Sequence, residues 1–142
     1  MSSKSEWPPG PWQSEPDEKE WTHAGFRCRI RRGPMGHWCG YIGVESGHPL
    51  YGRNDDTIWD MYRPKVHGGL TWSNTFHGED STWWIGFDCA HYGDAAPGMA
   101  VVRGRTDFFS DEVYRDVDYV VSETENLAEQ LARAIAQPEH AS

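Results

Sequence analysis

Phe26-Arg27-Cys28-Arg29-Ile30-Arg31 alternates apolar and basic side chains, the pattern of a strand with one buried face. Phe26, Cys28 and Ile30 then face inward and the arginines outward. Gly33-Pro34-Met35-Gly36 turns the chain into a second such run, residues 37–44, so residues 26–44 are expected as a hairpin. Arg53 to Asp60 is polar and predicts a surface excursion with at most one helical turn. Alternation returns in Val66-His67-Gly68-Gly69-Leu70-Thr71-Trp72, with Val66, Leu70 and Trp72 toward a core. Thr82 to Cys89 predicts a further strand, joined to the previous one through Ser73 to Ser81 as another hairpin. Its apolar face carries Trp83, Ile85, Phe87 and Cys89, while Trp84, Gly86 and Asp88 share the opposite one. A short strand is expected near Met99 to Val102, and a loop through Arg105 and Asp107.

From Val113 the period changes. Val117, Val120, Val121, Thr124, Leu127, Ala128, Leu131 and Ile135 recur at helical spacing. Ser110 is the candidate N-cap, Asp111 and Glu112 suit the positive end of the helix dipole, and Pro138 stops the helix. The fold class expected is α+β: an antiparallel or mixed sheet of about four to five strands with one long C-terminal helix packed on one face. Residues 1–20 contain Trp7-Pro8-Pro9-Gly10-Pro11-Trp12 and a charged run. They are expected as a disordered or loosely docked tail, although either tryptophan can pack back. Residues 21–137 form a single α+β domain on this reading, and 138–142 a second tail.

Composition narrows the function classes. The net charge of −9 argues against a general electrostatic grip on nucleic acid or on an anionic membrane. An acidic chain can still block a partner's nucleic-acid groove. Eight Trp, six Tyr and five Phe are enough either to build a small core or to stack on flat ligands. The three cysteines, with no apolar run of membrane-spanning length, suggest free thiols in a cytoplasmic setting. The three arginines of residues 27–31 read as the charged guard of an edge strand in preference to an anion site.

The P-loop, the dinucleotide glycine fingerprint, the Gly-x-Ser-x-Gly elbow and the zinc-deaminase pattern are all absent from the sequence. Three looser constellations remain. His37 and Cys39 with Cys89 and His91 offer four zinc ligands, but Cys89 shares the face of Trp83, Ile85 and Phe87, where an inert thiol belongs. His67, Asp88, His91 and Asp94 offer a general base with an orienting carboxylate, and His67, Asp88 and His91 a weak divalent-metal set. The third is a pocket. Gly68 and Gly69 would offer amides, Trp84 a stacking surface, and His67, Thr71 and Asp88 specific polar contacts, with His48 and Tyr51 further candidates. Gly86 would be its floor, facing His67.

Cys39-Gly40-Tyr41-Ile42-Gly43-Val44 and His48-Pro49-Leu50-Tyr51-Gly52 open a pattern, which Val66 to Thr71 and Gly86 to His91 continue. Gly93-Asp94, Tyr114-Arg115-Asp116 and the run from Tyr119 to Leu131 complete it. Over roughly residues 38–132 this resembles a family of small bacteriophage and prophage proteins of unknown function. The resemblance implies a one-domain cytoplasmic protein of the bacterial host, and no activity. Such proteins often counter host systems by sequestering a nucleotide signal or by binding a host protein. The preferred expectation is a small polar or nucleotide-like ligand, with no cofactor required. The alternatives are a metal-assisted hydrolase using a divalent metal, and an acidic inhibitor bound to a host protein. Direct nucleic-acid or membrane binding is not expected, and homo-oligomerisation is left open.

Overall fold

A computed structural model describes residues 4–76, 78–91, 93–104 and 112–136. The strands are β1 (Glu18–His23), β2 (Phe26–Arg32), β3 (Trp38–Glu45), β4 (Trp72–Phe76), β5 (Glu79–Asp88), β6 (Asp94–Ala95) and β7 (Val113–Tyr114). The helices are α1 (Asp55–Tyr62), α2 (Pro97–Val102) and α3 (Val117–Ile135). Five strands form one antiparallel sheet in the order β1-β2-β3-β5-β4, and β6 and β7 pair in parallel beside it. The α+β architecture, the hairpin of β2 and β3 and the long C-terminal helix are therefore as the sequence predicts.

Alternation places Cys28, Ile30, Ile42, Ile85 and Phe87 on the face against which α3 packs, and each is essentially inaccessible. From α3 come Val120, Thr124, Leu127, Ala128 and Leu131, all fully buried and one helical turn or two apart. The helix crosses β3 at Gly40, where a Cβ would sit 2.4 Å from Thr124 Oγ1 and 2.5 Å from Phe87. Only a glycine admits this approach. The Thr124 hydroxyl, which the core would otherwise strand, donates to Val120 O at 2.7 Å.

Several elements differ from the sequence expectation. β2 is not an edge: β1 pairs with it along its length, and the strand begins at Glu18, inside the segment expected as a tail. Trp7 and Trp12 are buried, and Trp12 Nε1 donates to Pro8 O. Residues 66–71 are a turn, and the strand begins only at Trp72. Gly68 and Gly69 have φ of +68° and +80°, which break the extended backbone. The backbone of Lys65–His67 bonds instead to α3 side chains. Gln130 takes the Lys65 N–H and returns a bond to its carbonyl, and Glu123 takes the His67 N–H.

α1 runs for eight residues and buries Ile58 completely, so the stretch from Arg53 is no mere surface excursion. Asn54 caps it by accepting the Thr57 N–H at 2.8 Å. Residues 97–102 form a helix, not a strand, started by Pro97 in its first turn. Val113 belongs to β7, and α3 begins only at Val117, capped by Asp116 through the Tyr119 N–H. The expected cap Ser110, with Arg105, Asp107, Asp111 and Pro138, lies outside the described residues; Glu112 pairs with Arg103. Among the described residues no helix is long and apolar enough to cross a membrane.

Candidate functional site

The turn before β4, the loop after β5 and the start of α3 meet around one carboxylate, Asp94, whose side chain is 2% exposed. Its Oδ2 accepts from His67 Nε2 at 2.8 Å and from the His91 N–H at 3.0 Å, and its Oδ1 accepts from Arg115 Nε at 3.0 Å. Burial pushes this carboxyl up, but the bonds from His67, Arg115 and the His91 N–H outweigh that and hold it below its usual value. A carboxylate only accepts, so His67 Nε2 carries a proton. Its Nδ1 lies 2.7 Å from the Tyr119 hydroxyl. Both imidazole nitrogens are thus engaged, which leaves His67 no lone pair for a substrate or a metal ion.

His91 continues the cluster. Its ring centroid is 6.1 Å from that of His67, and a Cβ on Gly68 would fall 2.1 Å from its Nε2. That nitrogen is 3.2 Å from Asp88 Oδ1 but makes no hydrogen bond to it. Asp88 also accepts from Thr71 Oγ1 at 3.0 Å and from the Ala90 N–H at 3.0 Å. His67, Gly68, Thr71, Asp88, His91 and Asp94 are therefore neighbours, brought together by the turn before β4 and the loop after β5 and not by two paired strands. No three His, Cys, Asp or Glu side chains among the described residues are arranged to hold a metal ion, which leaves the proposed metal set His67, Asp88 and His91 without a common centre.

Beside this network, Asp88 opens onto a cleft of about 340 Å³ lined by His37, Cys39, Tyr41, Thr71, Trp72, Phe87, Asp88 and Ala90. Sheet register builds it. Cys39 stands opposite Asp88, and Tyr41 and Trp72 both stand opposite Gly86. Without a Cβ at Gly86 the Tyr41 ring lies over it, edge-on to Trp72 with their centroids 5.3 Å apart. Burial pushes the Cys39 thiol up to about 11, so it stays protonated near neutrality. Burial lowers the His37 imidazole against the opposing pull of Asp88 and Asp94, which favours its neutral form. The His37 Nδ1 is itself buried and has no hydrogen-bond partner among the described residues.

Other expected site residues go elsewhere. Trp84 is fully buried, and the Arg27 and Arg29 guanidiniums lie 5.1 and 4.7 Å from its ring. It is not an open stacking surface. Gly86 is not a pocket floor facing His67, because the Tyr41 ring fills the space above it. The Gly69 N–H is used by Val66 O at 2.9 Å and is not free for a ligand. His48 accepts the Leu50 N–H and packs on Phe26, and Tyr51 packs on Trp83. Both follow Glu45, at the end of β3 remote from Cys39 and Asp88. Cys89 is buried in the core as its face required, apart from any zinc set.

Sequence reasoning passed over Arg115, Tyr119, Glu123, Tyr41 and Trp72. Asp116 was the available signal: a cap there starts the helix at Val117 and places Tyr119 and Glu123 four apart on one helix face. No protein-family model, no curated protein and no solved structure matches this chain.

Proposed function

We propose that the protein binds a small polar ligand in the cleft beside Asp88 and holds it without turning it over. The observation that carries this reading is the cleft: about 340 Å³, with aromatic walls at Tyr41 and Trp72 and polar groups from Asp88, Thr71 and His37. Small-molecule sites combine the same features, in volumes from roughly 300 to 1,000 Å³. Holding in preference to reacting is supported by the protonated Cys39 thiol and by a His67 whose two ring nitrogens are both bonded. No Lys or Arg among the described residues lines the cleft, which favours the base end of a nucleotide-derived molecule over its phosphates. A cytoplasmic phage-type protein, which is what the motif resemblance implies, would need such a pocket and no catalytic apparatus to sequester a host signal.

The test is a thermal-shift screen of the whole protein with nucleosides, nucleotides, amines and divalent metals, run beside Asp88→Asn. A stabilisation that rises with ligand concentration and shrinks in the variant is expected. Absence of a shift with every compound sinks the reading. A shift with metals alone, abolished in His67→Ala, would transfer support to the hydrolase.

A further inference from the structure

The outer sheet face is ordered in rows. Register aligns Glu20, Arg29, Tyr41, Gly86 and Trp72 in one row, and Glu18, Arg31, Cys39 and Asp88 in the next. Trp72, Phe76 and Tyr41 form one ring cluster, with Trp72 stacked on Phe76 at 5.2 Å and Tyr41 edge-on to Phe76 at 5.0 Å. The protein's own guanidiniums cover this layer. Arg29 lies 4.7 Å from the Trp84 ring and 5.0 Å from that of Phe76, and Arg31 lies 4.9 Å from Phe76. Each also has a carboxylate: Arg29 Nη2 meets Glu20 Oε1 at 2.8 Å, and Arg31 Nε is 3.5 Å from Glu18 Oε2. A ring surface beside a carboxylate recurs at the cleft, where no Lys or Arg among the described residues joins the lining and His91 Nε2 stands 3.2 Å from Asp88 Oδ1. Trp72 and Tyr41 supply the ring surface, and Asp88 supplies the carboxylate.

We infer that the ligand of this cleft carries a guanidinium or amidinium group, packed against Trp72 and Tyr41 and paired with Asp88. This rests on the cleft being a ligand site, as proposed above. Asp88 has capacity for it: it accepts two hydrogen bonds, from Thr71 and the Ala90 N–H, of the roughly four its oxygens can take. The planar fork of a guanidinium suits both a carboxylate and a ring face, and a phosphate suits neither.

The test is a titration of the 15N-labelled whole chain with agmatine, with the urea isostere of agmatine, with inorganic phosphate and AMP, and with a Gly-Arg-Gly amide. Agmatine is expected to move the amides of Cys39, Trp72 and Asp88. Its urea isostere should bind at least tenfold more weakly, and Asp88→Asn should erase the difference between the two. Comparing the two ligands on the wild-type chain needs no variant to fold. Stronger binding by agmatine than by the tripeptide assigns a free guanidino compound, and the reverse order assigns an arginine side chain of a partner; either supports the inference. Equal binding of guanidine and urea, or movement of the cleft amides by AMP or phosphate alone, overturns the ligand class and leaves the cleft as a site. Failure of every compound to move those amides overturns both.

Discussion

Two carboxylates hold separate parts of the chain together, and both act through several donors on one side chain. Glu15 accepts from Tyr114, Arg32, Trp38 Nε1 and the Val117 N–H, joining the N-terminal segment to the β2–β3 hairpin and the start of α3. Asp94 does the same for the turn at His67, the loop at His91 and Arg115. Burial raises both carboxyls, but their donors win, and each lies below its ordinary value of 4.5 or 3.8. A folded-state value below the unfolded one gives stability that is complete above the unfolded value and is lost as pH falls through the folded one. The melting temperature is therefore expected to hold near neutrality and to drop below about pH 4.5. Asp94→Asn presents an amide N–H to donors that need an acceptor, and should cost on the order of 3 kcal/mol at pH 7. It should also flatten the acid limb in urea-denaturation series from pH 7 to pH 3. An acid limb identical to that of the wild type would count against Asp94 as one of its sources.

At the level of elements, the contact of α3 with β3 depends on the missing side chain at Gly40. Gly40→Ala puts a methyl against Thr124 and Phe87, both inside the core, and should destabilise by about 1–3 kcal/mol in chemical denaturation. Thr124→Ala in the same chain should recover part of that loss, since it removes the oxygen at 2.4 Å. A neutral Gly40→Ala would mean that the helix can lift from the sheet at no cost. Both elements were legible in the sequence, because hydrophobic period reports burial directly: 2 for the strands, 3.6 for α3. The start of α3 was not, since Val113, Val117 and Val120 keep helical spacing across the break that Asp116 makes. The segment at His67 was misread for a different reason. Its apolar alternation is genuine, but its amides are satisfied by Glu123 and Gln130, 56 and 65 residues away, and no local pattern encodes a bond of that range. The grouping of His67, Asp88, His91 and Asp94 was legible only as a set of residue types, because the strand face expected for His67 is a turn held by α3. The cleft was not, because Tyr41 and Trp72 meet only through the register of three strands.

Across the whole molecule, the acidic run of residues 15–20 and the basic stripe of β2 are halves of one structure. Arg32 pairs with Glu15 and Asp17, Arg31 with Glu18, and Arg27 and Arg29 with Glu20. Arg32 also lies 4.4 Å from the Trp38 ring and 5.7 Å from that of Trp7, so the first tryptophan closes over the same group. Read in sequence, the run looks like a tail because its charges have no period; its partners are a strand whose own period is clear. Removal of residues 1–16 would take away Trp7, Trp12 and Glu15 while sparing β1. It would leave Arg32, whose side chain is only 5% exposed, without its buried carboxylate. The truncated chain should lose at least about 3 kcal/mol in urea denaturation. Glu15→Ala in the full chain should reproduce much of that loss, because it removes the shared acceptor and leaves both tryptophans in place. A shorter deletion ending at residue 6 should cost far less, since Trp7, Trp12 and Glu15 remain. If all three proteins unfold at the wild-type midpoint, the segment is a dispensable tail and the sheet with α3 is the whole folding unit. If only the 1–16 deletion falls, burial of the tryptophans outweighs the carboxylate. Loss in both that deletion and Glu15→Ala would make residues 7–17 part of the domain and move its N-terminal boundary ahead of β1.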